Sequence, residues 1–485
     1  MLDPNLSEEL ALLAKAKRAV RIWFVRGALG RLVSISTNLL LLALVSPTQL
    51  GILAVVRGTI GIVYFLSDLG FESALVRRPA PPSEAEMGAL TGFRIVAIAL
   101  ILGAGFAIPQ ASTLFGTLAP QWSPWVLALL AAFLVTPMQL GSKIRLERNL
   151  EFGKLGFVEV SAIILENVGL VVAALLHRFE QGVFLMFMIS FLYTTVIVHI
   201  LAPSRGISLQ VRHLRGIYAD TVGFSIASFF TIARASITPI IIARLFGLDI
   251  AGVWAFAERS CSLLNLTFDS YARTGFAAAA RFAHRPSHLL DLATSALSGT
   301  MTWGYPGAIL VFAALPIVPS VWPQWAGAVV PAQTYVLGLG IFGVFSASLA
   351  PVAVAQRGPM ISIAEQGVGT GVVWLALILL AKAGLTNVGI AYAVGTVATA
   401  IILIVLSDSA ISATILPIAR RPALGVAYSL GIFTACRWFG AGHFATAIVT
   451  CCFACVWLAP SLIAGFDLIR RSIGDRVLGR SSLML

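Results

Sequence analysis

The fold class this chain predicts is an all-α polytopic membrane protein. Three observations predict it. Hydrophobic residues make up 58% of the 485 residues and charged residues only 11%, against roughly a quarter charged in soluble domains. The mean hydropathy is +0.93. Apolar stretches of spanning length recur along the chain, separated by Pro, Gly and clusters of charge, and a helix needs about 20 such residues to cross the hydrocarbon layer.

The stretches fall near 24–45, 50–67, 88–108, 125–141, 156–176, 182–202, 220–244, 250–271, 291–314, 331–353, 361–381, 388–406, 422–438 and 443–466, which makes fourteen expected helices. Charge placement supports that number. With both termini on the cytoplasmic side, alternate loops gather most Lys and Arg inside, and the outer side keeps only Arg178, Arg244, Lys382 and Arg437. The formal charge of +12 is therefore read as topology and not as nucleic-acid binding. Residues 1–23 are read as an amphipathic segment on the cytoplasmic surface, without the order of regions that marks a signal peptide. Helices 1–6 form an expected N-lobe over 24–204, joined by a linker over 205–219 to a C-lobe of helices 7–12 over 220–410. Accessory helices 13 and 14 occupy 411–466, and a basic cytoplasmic tail follows over 467–485.

An internal repeat supports the two lobes. At an offset of 201 residues Gly51 falls on Gly252, Arg57 on Glu258, Tyr64 on Asn265, Asp68 on Asp269 and Glu72 on Arg273. Both segments are second helices of a six-helix unit running in the same direction, the parallel repeat of two-lobed transporters.

Several motifs point away from enzyme chemistry. Gly338, Gly340 and Gly343 fit a dinucleotide-binding spacing but lie inside an apolar span with no preceding strand, so close helix packing is the expectation. The pair Cys452 and Cys455 has no second pair to complete a metal site. The six histidines show no metal-ligand spacing and no phosphate-binding loop is present, so no cofactor is expected. The outer loops are short. Trp122, Trp125, Trp322 and Trp325 in the longest two suit an interfacial aromatic belt.

Ionisable residues inside the spans carry the functional signal, because a charge at mid-bilayer is costly and usually faces a partner or a watery cavity. Arg57, Tyr64, Asp68 and Glu72 form one stripe on the second helix, and Glu258, Ser262, Asn265, Asp269 and Arg273 form another on the eighth. Arg31, Ser34 and Asn38 add a short stripe on the first, and Ser225, Ser228, Thr231, Arg234 and Thr238 one on the seventh. The forked guanidinium groups of Arg57, Arg234 and Arg259 suit a diphosphate or an acidic sugar, and Arg31 joins them as a cavity cation. Glu159 and Glu166, seven residues apart on one helix face, are candidates for ion coupling, as is Glu258. Asp68, Glu72, Asp269 and Arg273 are candidate gate residues, with Arg57 facing Glu258 and Glu72 facing Arg273 across the lobes.

Ser67-Asp68-Leu69-Gly70, followed by Ala74-Leu75-Val76-Arg77-Arg78, resembles the signature after the second helix of polysaccharide-type lipid-linked oligosaccharide flippases. Gln139, Arg145, Arg148-Asn149-Leu150-Glu151-Phe152-Gly153-Lys154 and Glu159 resemble that family's loop between helices four and five. The stretch from Gly252 to Arg259, running on to Phe276 and Arg281, is similar to its eighth helix. Arg78 and Gly153 depart from the usual pattern and leave the sugar open. The family belongs to the multidrug, oligosaccharidyl-lipid and polysaccharide exporter superfamily.

The resemblance implies two six-helix bundles around a central cavity with alternating access. It further implies an undecaprenyl-diphosphate-linked oligosaccharide turned across the bacterial cytoplasmic membrane, for exopolysaccharide, capsule or O-antigen synthesis. Membrane lipids, a polysaccharide polymerase and export machinery are the expected partners, and the chain is expected to act as a monomer. A multidrug-extrusion transporter of the same superfamily is the alternative, although a pump for cationic drugs favours acidic groups in its cavity. A membrane polymerase or ligase needs a large outer loop that this sequence lacks. A non-transporting scaffold needs no paired polar stripes.

Overall fold

The computed structural model describes residues 29–30, 32–71, 75, 82–107, 123–149, 151–203, 206–261, 264–265, 268–269, 271–272, 275–276, 279, 286–358, 360–380, 386–407, 426–440, 442–450 and 452. Among them there is helix and turn but no strand. The expected amphipathic segment and basic tail lie outside the described residues, as do Arg31, Glu72 and Arg273.

The helices are α1 (Leu32–Leu44), α2 (Pro47–Asp68), α3 (Glu84–Ala107), α4 (Ser123–Phe133), α5 (Leu140–Arg148), α6 (Phe152–Leu175), α7 (Phe179–Leu201), α8 (Arg215–Phe246), α9 (Leu248–Ser260), α10 (Pro286–Ala314), α11 (Val329–Arg357), α12 (Met360–Leu379) and α13 (Thr386–Leu406). Residues 426–438 and 443–450 are helical as well. Nine helices among the described residues are long and apolar enough to cross a membrane. The fourth expected span is not one continuous helix. It divides into α4 and α5 around a 3-10 turn over Thr136–Gln139, because Pro137 has no N–H to continue the ladder.

Two compact units divide the chain, Met1–Gly252 and Val253–Leu485. In the first, α2 is the inner helix. Ser46 caps it through Gln49 in a reciprocal capping box, with Pro47 in the first turn. It ends on Leu69 and Gly70, both left-handed, at φ 48° and 82°. Leucine tolerates that conformation poorly, and the Ser225 hydroxyl of α8 fixes it by donating to the Leu69 carbonyl at 2.6 Å.

Close backbone approach seats α8 and the start of α9 on α2. A Cβ at Gly58 would strike the Ser236 carbonyl oxygen. Further along, the contact is reciprocal. A Cβ at Gly51 would collide with the Leu248 carbonyl oxygen and stand 3.0 Å from the Gly252 nitrogen, while one at Gly252 would collide with the Pro47 carbonyl oxygen and stand 3.0 Å from the Gly51 nitrogen. Beside them the Thr48 hydroxyl bonds to Asp249, also 201 residues away. The offset read from the sequence is thus the separation at which these two segments touch.

The second unit is held by aromatic and small-residue packing. Trp254 stacks on Tyr392 at 4.1 Å and meets Tyr335 edge-on at 4.8 Å. Gly338 lets α11 approach Ala393 of α13, and Gly340 does the same against Ala308 of α10. The glycine spacing therefore serves helix packing. Trp325, expected in an interfacial belt, is instead fully buried and stacks on Phe256 at 5.5 Å, because residues 315–328 fold back as short turns that cover the helix ends.

Candidate functional site

Between Leu50 and Phe65 every residue of α2 is buried or half-buried except Arg57. A lipid-facing side chain on a helix has exposed neighbours three and four residues away, yet Leu53 and Ala54 are buried and Ile60 and Gly61 half-buried. Arg57 is therefore the single exposed side chain on a stretch of α2 that otherwise faces the interior. On α6, by contrast, Phe157, Ile164, Leu165, Val168, Val172 and Leu175 are all exposed, the continuous apolar surface that lipid requires.

Two neighbours hold the Arg57 guanidinium. Glu166 of α6 accepts from Nη2 and forms an ion pair with it. Phe187 of α7 lies under its face, with Cζ 5.7 Å from the ring centroid. The arginine side chain remains 41% exposed and the glutamate 16%. A lone arginine at mid-bilayer costs roughly 2.5–3.5 kcal/mol even on insertion scales. A carboxylate and a ring lower that cost while leaving donors of the five-donor fork turned outward.

The other predicted residues divide as follows. Arg234 lies half-buried on α8. The Ser225 and Gly58 contacts put α8 antiparallel to α2, so register places Arg234 within about one or two turns of the Arg57 level. Glu159 is half-buried on α6, two turns nearer its start than Glu166. Glu258 and Arg259 stand half-buried in the last turn of α9, in the second unit, and Asp269 is exposed there. Within the first unit the structure pairs Arg57 with Glu166.

Asp68 is buried and its carboxylate is committed. Oδ2 accepts from the Gly70 amide at 3.1 Å and Oδ1 accepts from Arg94 of α3 at 3.3 Å. Arg94 is 2% exposed and sits over the Tyr64 ring, 4.6 Å from its centroid. Sequence reasoning missed Arg94 although its signal was present, a single arginine inside an otherwise apolar span.

The signature segments converge on the same end of α2. Arg148 donates to the Leu75 carbonyl at 3.0 Å. Arg145 bonds to both Glu84 and the Pro203 carbonyl, and Leu75, Leu90, Leu140, Ile144 and Leu214 pack together beside Phe71. The segment after α7 is drawn in by the Ser208 amide, which donates to the Gly88 carbonyl at 2.9 Å. The motif residues thus build a scaffold around the end of α2.

The described residues contain no group of His, Cys, Asp and Glu able to hold a metal ion, and Cys261, Cys436 and Cys452 are free thiols.

Long apolar helices, nine of them among the described residues able to cross a membrane by length and composition, make this a polytopic membrane protein. The sequence model of the family described as "Polysaccharide biosynthesis protein" matches residues 40–329, more than half of the chain, and the chain belongs to that family. No curated protein matches the sequence. Among solved structures, the lipid II flippase MurJ in an inward closed conformation superposes with a TM-score of 0.70 at 13% identity, covering 92% of this chain and 100% of that one. An inward-facing multidrug resistance MATE family transporter of the MOP superfamily superposes with a TM-score of 0.55 at 15% identity, covering 77% and 92%. At these identities the likeness is one of fold.

Proposed function

We propose that this protein is a flippase, not an enzyme, that carries undecaprenyl-diphosphate-linked oligosaccharide from the inner to the outer leaflet of the bacterial cytoplasmic membrane. The observation that carries this reading is Arg57, the one exposed side chain between Leu50 and Phe65 of α2, held by Glu166 and Phe187. Arg–phosphate pairs are frequently bidentate and charge-assisted, and a diphosphate is the anionic part that every lipid-linked sugar of this class shares. Arg234, Arg259 and Arg31 extend the basic surface in this reading. Membership in a polysaccharide biosynthesis family supports a sugar cargo.

The mechanism is alternating access between an N-lobe over 24–204 and a C-lobe over 220–410, with both termini cytoplasmic. Glu159 and Glu258 couple ion movement to the cycle. Asp269 and the Glu72–Arg273 pair gate it, while Asp68 acts through the scaffold it builds with Arg94. A polymerase and the export machinery receive the product.

The test is a deletion strain and reconstituted protein. Deletion is expected to leave lipid-linked oligosaccharide on the cytoplasmic leaflet, and Arg57→Ala is expected to reproduce that accumulation while still inserting in the membrane. Wild-type polymer export in both the Arg57→Ala and Arg234→Ala strains overturns the reading. Extrusion of cationic drugs by the purified protein would instead favour the multidrug alternative, which an exposed guanidinium disfavours by like-charge repulsion.

A further inference from the structure

We propose that Glu166 is an internal counter-ion that the substrate's diphosphate displaces from Arg57. The proposal rests on the reading of Arg57 given above and names the step by which cargo is accepted.

The geometry assigns distinct tasks to the two groups around the guanidinium. Phe187 is buried and its ring centroid lies 5.7 Å from Cζ, so the ring keeps its place whichever anion occupies the edge. Glu166 sits on the Nη2 edge, the edge that a bidentate phosphate also uses. Diphosphate and carboxylate therefore compete for the same donors. The competition is open because the pair is only half-shielded, with side-chain exposures of 41% and 16%. The Glu166 side chain keeps 16% of its surface exposed, so displacement does not strand a fully buried charge. Arg94 and Asp68 are built the other way. Arg94 is 2% exposed and Asp68 is tied to the Gly70 amide as well, which leaves no path for a competing anion.

A counter-ion of this kind lets an arginine reside in α2 while the site is empty, and it sets a threshold for binding. A monoanionic lipid headgroup gains little by replacing one carboxylate with another single charge. A diphosphate brings more charge and two sets of oxygens, and so wins the exchange. Specificity for diphosphate over ordinary anionic lipid follows from the presence of Glu166.

The experiment measures binding of geranylgeranyl diphosphate, and of inorganic diphosphate alone, to the full-length protein in nanodiscs of zwitterionic lipid. Glu166→Gln is expected to tighten binding of both probes by about fivefold or more and to let nanodiscs containing phosphatidylglycerol compete. Glu166→Asp, which keeps the carboxylate, is expected to stay near the native affinity and guards against misfolding of the Gln variant. Arg57→Ala is expected to weaken both probes, and Glu166→Gln added to Arg57→Ala is expected to change nothing further. A merely structural Glu166 would lower stability without tightening binding. If Glu166→Gln binds no tighter while Arg57→Ala still weakens binding, the counter-ion role is wrong and the Arg57 reading stands. If Arg57→Ala binds both probes as the native protein does, the reading of Arg57 falls and the counter-ion with it. Tightening for the lipid probe alone would overturn the diphosphate exchange, since the gain would then belong to the isoprenoid chain.

Discussion

Among the described residues of the first unit, two arginine–carboxylate pairs are anchored on α2, and they differ in how far they are shielded. Arg94–Asp68 is buried, stacked on Tyr64 and tied to the backbone turn at Gly70. Arg57–Glu166 is half-open, stacked on Phe187 and set in the middle of a helix that exposes nothing else nearby. The same chemical components, a guanidinium, a carboxylate and an aromatic face, make a structural lock in one place and, in the proposed function, a receptive surface in the other. Access to water decides which.

That contrast can be broken first at the lock. Arg94→Ala leaves Asp68 without its buried cation, and breaking a buried pair by removing one partner costs about 3–5 kcal/mol. Thermal unfolding in detergent is expected to show a large loss of stability, with little folded protein recovered. Arg57→Ala removes a cation that is itself 41% exposed and is expected to cost less stability than Arg94→Ala, while abolishing export. Equal destabilisation by the two substitutions would erase the distinction.

A second way to sharpen it is to disturb the seat of α2 without touching either pair. Gly252→Leu drives a side chain into the Pro47 carbonyl, and overpacking of this kind costs typically about 1–3 kcal/mol. Both pairs lie away from the clash, so diphosphate binding measured on the folded fraction is expected to survive. Ser225→Ala removes the donor to Leu69 and is expected to lower stability by about 1 kcal/mol, with a measurable effect on the Asp68 end and none on Arg57. The smallest effect is expected at Lys154, whose pair with Glu151 three residues earlier spans 2.6 Å on an exposed surface. Lys154→Ala is expected to change the unfolding midpoint by less than about 0.5 kcal/mol equivalent.

Much of the fold was legible because a membrane imposes a length and a polarity on each helix. The apolar runs near 50–67, 156–176 and 182–202 correspond to α2, α6 and α7. Arg57 and Glu166 were also legible as ionisable groups in spans. Their pairing was not, since they stand 109 residues apart and periodicity fixes the face of a helix without naming the neighbour that covers it. Arg94 was passed over because an average over an apolar window dilutes one charge. Trp325 misled for a related reason: tryptophan near a helix end suits both an interface and a core, and only the fold-back of 315–328 decides between them. Pro137 carried a visible break signal that the hydropathy of its surroundings masked.

The reciprocal seat of Gly51 and Gly252 carries a consequence for heredity. Each position is small so that the other's preceding turn can lie against it, Pro47 for Gly252 and Leu248 for Gly51. Two codons 201 apart are therefore subject to one steric constraint. In related sequences a larger residue at either site is expected to come with a displaced or shortened turn at the other, and the two positions will drift as a unit while the lipid-facing residues of α6 vary independently.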